Sequence, residues 1–147
     1  MDTDIVIQQS EGKLLQEIID NDGIEIFMKI EEKAVSGLQV ENCVVSTGGS
    51  VIYSEKAMIA LKQSGLIIYL HVPIEEIRRR LINVTTRGIV KKNGNNLEDV
   101  YEERVPLYMM YSDKTLDWSN EDVEHSVGEL IELIQESQND HSNGNYS

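Results

Sequence analysis

Two kinds of apolar pattern alternate along this chain: positions recurring at helical spacing, and short unbroken runs. Leu14, Leu15, Ile18 and Ile19 follow the helical period, and Asn21-Asp22-Gly23, residues that tolerate left-handed backbone, close that helix. Ile26, Phe27, Ile30, Ala34 and Leu38 form the stripe of a second helix, which places Glu31, Glu32 and Lys33 on its solvent side. The run Val44-Val45-Ser46 that stops at Thr47-Gly48-Gly49 has the other pattern. It predicts a parallel strand buried on both faces up to a ligand-facing end, with Cys43 opening it as a small core residue.

Downstream, Ser54 is placed to cap a helix containing Met58, Ala60 and Leu61 that Gly65 stops. Leu66 to Leu70 predicts a second buried strand. Pro73 then opens a helix with Glu75 and Glu76 in its positive first turn and Arg78, Arg79 and Arg80 near its negative end. From Arg87 to Asn96 no apolar period survives, and the glycines and asparagines there predict a long loop of the lid type. Asn96, with Asp99 three residues on, caps a helix whose apolar side carries Leu97, Val100, Tyr101, Val105, Leu107 and Tyr108. Lys114 to Trp118 is a short strand, Val123, Val127, Leu130, Ile131 and Ile134 make a closing helix, and residues 137–147 read as a disordered polar tail. Helix, helix, strand, helix, strand, helix, lid, helix, strand, helix is the order of a parallel α/β sheet with right-handed crossovers.

Composition narrows the function. A chain of 147 residues, 40% apolar, suits one domain with a proper core. A formal charge of −13 opposes binding to phosphate backbones and to anionic lipid, so neither nucleic acid nor membrane is an expected partner. No apolar run approaches a bilayer span, and Met1 is followed by Asp2 and Asp4 instead of a basic, then apolar leader, so a cytoplasmic location is expected. His71, His125 and His141 lack metal-ligand spacing to one another.

The candidate chemistry lies in four places. Gly48-Gly49 is either a plain turn or a place where backbone N–H groups approach a ligand oxygen. Asp2 and Asp4 are either a solvated acidic terminus or a pair reaching a site at a strand end, one toward a metal-bound water and one toward a substrate hydroxyl. The arginines 78–80 match the helix dipole, and one of them could face an anion. Arg104, just before Pro106, is either a surface ion-pair partner or a ligand contact.

Asp2-Thr3-Asp4, Gly48-Gly49-Ser50, Arg87-Gly88-Ile89 and Arg104-Val105-Pro106-Leu107-Tyr108, in that order and at these intervals, resemble the motifs of the shikimate kinases. Those enzymes carry Asp-Thr-Asp after a second strand, Gly-Gly-Gly after a third, Arg-Pro-Leu in the lid, and Arg-x-Pro-Leu-Tyr. The resemblance implies a three-layer α/β/α fold with a parallel sheet of the P-loop kinase type over residues 1–136. It also implies ATP- and Mg2+-dependent phosphorylation of shikimate to shikimate 3-phosphate in aromatic amino acid biosynthesis. Carried over by position, Asp2 becomes a second-shell magnesium contact and Asp4 a partner and general base for the attacked hydroxyl. Gly48, Gly49 and Arg104 hold the acid, Arg87 closes over the transferred phosphate, and Arg80 lies against adenine.

Three departures bear on activity. The family's first, central strand and its Gly-x-x-x-x-Gly-Lys-[Ser/Thr] loop have no counterpart, so nucleotide binding is expected to be weak or absent and catalysis impaired. Unpaired strands beside that gap would favour self-association, whereas a complete chain would be a monomer. Met28 stands where an arginine usually helps to bind the carboxylate, and Lys29 lies about 100° round the helix from it. Gly88 replaces a lid proline, giving a looser loop. Two other readings follow: a non-catalytic α/β module that binds a small acid or a partner, and a P-loop kinase for a different small acid.

Overall fold

The computed structural model describes residues 1–81, 96–118 and 123–143. Its first element, α1 (Thr3–Glu11), replaces the extended acidic segment expected there. Asp2 caps it, accepting the Asp4 N–H at 2.8 Å, and Gly12 ends it in left-handed backbone at φ 64°. Thr3 and Ile7, one turn apart, are the residues of this helix that become buried. Next come α2 (Leu15–Asp22) and α3 (Ile24–Ser36), separated by Gly23 at φ 85°.

A second correction concerns the strand expected at 44–49. It does not form; a single parallel bridge joins Asp2 to Ser46, through Ser46 N–H to Met1 O at 2.8 Å and Thr3 N–H to Ser46 O at 2.9 Å. Val44 is 76% exposed and Cys43 is exposed too, so neither is core. Among the described residues no strand lies along the other side of this segment. It borders instead a cleft of about 1290 Å³ whose far wall includes Ile68 and Leu70. A chain without ladder partners on both sides cannot bury both faces.

After the 3-10 turn Val51–Tyr53, α4 (Glu55–Ser64) is capped as expected, Ser54 Oγ accepting from the Ala57 N–H at 3.1 Å. The strands β1 (Ile68–His71) and β2 (Lys114–Asp117) pair in parallel, Ile68 opposite Lys114 and His71 opposite Asp117. Between them α5 (Ile74–Leu81) and α6 (Leu97–Tyr111) carry the chain across. In α6 the Asn96–Asp99 capping box closes reciprocally at 2.9 and 3.2 Å, and the helix runs on through Pro106. β1 is half-buried, not the fully buried strand its apolar run predicts, because the cleft opens beside it.

Helix α7 (Val123–Asn143) occupies 137–143, part of the stretch expected to be a disordered tail. It forms over the positions expected for the closing helix, with Val123, Val127 and Ile131 exposed. The core sits elsewhere, in two clusters. Ile7, Ile18 and Phe27 join α1, α2 and α3, while Val35, Val51, Ile52, Ala57 and Met58 join α3, the 3-10 turn and α4. Helix α3 serves both, through Phe27 at one end and Val35 at the other. Burying such side chains contributes about 1.5–3 kcal/mol each.

Candidate functional site

Midway between Phe27 and Val35, on the same face of α3, stands Glu31. It is 2% exposed, not the solvent charge its neighbours Glu32 and Lys33 suggest. Its Oε2 accepts the Ser50 hydroxyl at 2.7 Å, and its Oε1 is buried with no hydrogen-bond partner. Burial raises the Glu31 pKa above the usual carboxylate range; the Ser50 bond and Arg104 oppose the rise and Asp4 adds to it.

Glu31 thereby anchors one side of the turn 48–50. A Cβ on Gly48 would lie 2.7 Å from Glu31 Oε1 and 3.3 Å from Asp4 Oδ1, so backbone fits there and a side chain does not. Helix α6 holds the other side. Tyr108 donates its hydroxyl to Gly49 O at 2.9 Å, and a Cβ on Gly49 would lie 2.7 Å from that hydroxyl and 3.1 Å from Arg104 Nη1. The Tyr108 ring stacks on Tyr69 of β1 with centroids 4.9 Å apart. Burial pushes both phenols up, that of Tyr69 to about 12. Arg104 in turn donates from Nε to the Tyr53 hydroxyl at 3.2 Å, with its guanidinium carbon 5.3 Å from that ring's centre.

Asp4, Gly48, Gly49 and Arg104, four residues singled out in the sequence, are thus gathered on one turn. The chemistry this offers is specific. A carboxylate can hold a hydroxyl, a turn without side chains lets its backbone come close to both charged groups, and a guanidinium offers a planar fork of donors. Gly48, Gly49 and Arg104 also line the large cleft. Met28 and Lys29 border a separate hollow of about 320 Å³ with Tyr53.

The remaining sequence candidates are placed differently. Arg80 lines the large cleft but pairs with Glu76 at 2.6 Å, Arg79 pairs with Glu76 at 2.7 Å, and Arg78 pairs with Glu98. Arg79 and Arg80 together hold Glu76 down at about 2, so these arginines serve ion pairs as well as the helix dipole. Asp2 is exposed and caps α1 with Oδ1. Arg87 lies outside the described residues, as does most of the expected lid.

Among the described residues no three His, Cys, Asp or Glu side chains are grouped to hold a metal ion. The 147 residues contain no Gly-x-x-x-x-Gly-Lys-[Ser/Thr] phosphate loop. The donor set described here therefore does not fit Mg·ATP by itself. No helix among the described residues is long and apolar enough to cross a membrane.

Glu31, Tyr53 and the side-chain hydroxyls of Ser50 and Tyr108 are the parts of this site that sequence reasoning does not single out. For Glu31 a signal exists: Phe27, Glu31 and Val35 repeat every four residues, so a carboxylate interrupts an apolar stripe. Tyr53 carries none, because its role depends on a contact with Arg104, 51 residues away.

Comparison with known proteins gives a consistent picture. A family model described as shikimate kinase matches residues 1–135. A shikimate kinase of Clostridium botulinum (strain 657 / Type Ba4) is 36% identical over 112 residues, which is 74% of this chain and 66% of that protein. The matched stretch thus spans just under two thirds of that relative's length. One from Caldanaerobacter subterraneus is 31% identical over 134 residues, covering 89% of this chain and 78% of its own. Among solved structures, the shikimate kinase from Acinetobacter baumannii in complex with shikimate superposes with a TM-score of 0.83 at 24% identity, over 92% of this chain and 78% of that one. That from Bacteroides thetaiotaomicron gives 0.76 at 25% identity, over 92% and 82%. The fold is accordingly the α/β fold of the P-loop kinases, with the described sheet reduced to β1 and β2.

Proposed function

The chain belongs to the shikimate kinase family, and we propose that the turn 48–50 and its flanking side chains bind shikimate, the acceptor in phosphoryl transfer. One observation carries the reading. Asp4 Oδ1 lies 3.3 Å from where a side chain on Gly48 would begin, and Arg104 Nη1 3.1 Å from where one on Gly49 would begin. A carboxylate and a guanidinium brought to one turn suit a small molecule bearing both a hydroxyl and a carboxylate.

In this reading Arg104 pairs with the carboxylate, the turn supports the ring, and Asp4 holds the hydroxyl and takes its proton as the oxygen attacks. Alignment of the acceptor is what this part of the molecule contributes. ATP and Mg2+ enter through the family. Asp2, Arg80 and Arg87 are the residues proposed to face them: Asp2 toward the metal's water shell, Arg80 toward adenine and Arg87 toward the moving phosphate. The location proposed is the cytoplasm. Val44 and Leu70, exposed along the cleft, favour self-association of the chain.

Calorimetric titration of the chain with shikimate, without nucleotide, tests the proposal. Binding that Arg104→Ala weakens by about tenfold or more supports it, as expected for a lost charge-assisted pair. Equal affinity in the two proteins refutes it. A second reading is binding of the acid without its phosphorylation. Titration with Mg·ATP separates the two, since micromolar nucleotide binding would contradict the non-catalytic version. A kinase acting on a different small acid is checked by the same calorimetry over a panel of hydroxylated acids.

A further inference from the structure

An arginine recognises a carboxylate well only when the plane of its guanidinium is fixed, because the two parallel N–H···O bonds demand coplanarity. In this chain the plane of Arg104 is set from outside the turn. Its Nε donates to the Tyr53 hydroxyl at 3.2 Å and the guanidinium carbon lies 5.3 Å from the Tyr53 ring centre. Arg104 is also hydrogen bonded to Tyr108. One tyrosine therefore grips the inner nitrogen and supplies an aromatic face, while the other ties the same arginine to the stack on Tyr69. Tyr53 itself is rigidly carried. It ends a 3-10 turn whose Val51 and Ile52 are each 4% exposed, and its N–H donates to Ser50 O at 3.0 Å.

We infer that Tyr53 is a positioning residue that, through Arg104, gives the site its preference for a planar carboxylate. The inference rests on the acid-binding reading above and names a determinant of its selectivity. Met28 faces the same hollow as Tyr53, so no guanidinium from that position of α3 shares the task.

The test compares the intact chain with Tyr53→Phe, which keeps the ring and removes the hydroxyl, and with Tyr53→Leu, which removes both. Each is titrated calorimetrically with shikimate and with its uncharged carboxamide, after thermal unfolding has shown which variants fold. For Tyr53→Phe the expected result is a loss of about tenfold for shikimate, the size of one hydrogen bond to a charged group, and less than twofold for the carboxamide. Tyr53→Leu should lose more for the carboxylate. In parallel, the Arg104 Nε–H resonance should shift and exchange faster in Tyr53→Phe without ligand. Unchanged shikimate affinity, or an equal loss for both ligands, overturns the role of Tyr53 and leaves the acid pocket standing. Failure of the unsubstituted chain to bind shikimate overturns the pocket and this inference with it.

Discussion

Gly48→Ala is the sharpest probe of how the site is built. The substitution adds one methyl group, and its carbon would arrive 2.7 Å from Glu31 Oε1 and 3.3 Å from Asp4 Oδ1. The second distance needs a few tenths of an ångström of adjustment. The first requires a shift of a carboxylate that is 2% exposed and bound to Ser50 at 2.7 Å. Overpacking of this kind costs about 1–3 kcal/mol. Backbone strain does not add to it, because Gly48 is not among the positive-φ residues. Losing a glycine from the unfolded chain even returns about 0.4–1 kcal/mol. The penalty should therefore disappear when Glu31 is shortened. In Glu31→Ala, Gly48→Ala should be neutral or slightly stabilising, giving a coupling energy above about 1 kcal/mol between the two positions. Urea unfolding of the four proteins at constant m-value measures it. Additivity within about 0.5 kcal/mol would refute the contact on which the geometry of the turn depends.

Two further outcomes follow from the same contacts. Glu31 titrates above its unfolded value, so the native state keeps a proton that the unfolded chain releases near 4.5. Stability from this group is complete below that pH and declines as pH rises through the raised native value. The stability of Glu31→Gln relative to the parent should therefore climb as pH rises above about 4.5 and level off beyond the raised native value; a difference that falls instead contradicts the buried carboxylate. Met28→Arg places a guanidinium one turn from Glu31 and should tighten shikimate binding about tenfold to a hundredfold, an added charge-assisted contact of roughly 1.5–3 kcal/mol. Unchanged affinity in calorimetry would show that position 28 does not reach the acid.

Local rules placed the features that depend on nearby residues. Ser54 and the Asn96–Asp99 box cap the helices they were expected to cap, Gly23 ends α2, and β2 begins at Lys114. These depend on one or two turns of chain and are legible because side chain and backbone partner are close in sequence. The family, too, could be read from four short motifs, and the match over residues 1–135 shows it.

What could not be read depends on distant partners. Val44-Val45 has the composition of a buried strand, but burial needs a neighbour on each side, and the bridge to Asp2 supplies only one. The stripe Val123, Val127 and Ile131 marks α7 correctly as a helix, yet the cover that such a stripe anticipates is absent among the described residues. Glu31 was hidden by its own charge, since a carboxylate is seldom buried unless paired, and its partner Ser50 is 19 residues away. The turn was legible as two glycines; the reason they must be glycines came only from Glu31, Tyr108 and Arg104 closing on them.

The central claim is that one turn, with Asp4 and Arg104 packed against it, receives a hydroxylated carboxylic acid. Amide and arginine side-chain resonances of the labelled chain, followed as shikimate is added, test it most directly. The account predicts saturable shifts concentrated at Asp4, Gly48, Gly49, Ser50 and Arg104 Nε–H, with little movement on the exposed face of α7. Shifts centred elsewhere, or none at millimolar shikimate, would contradict it.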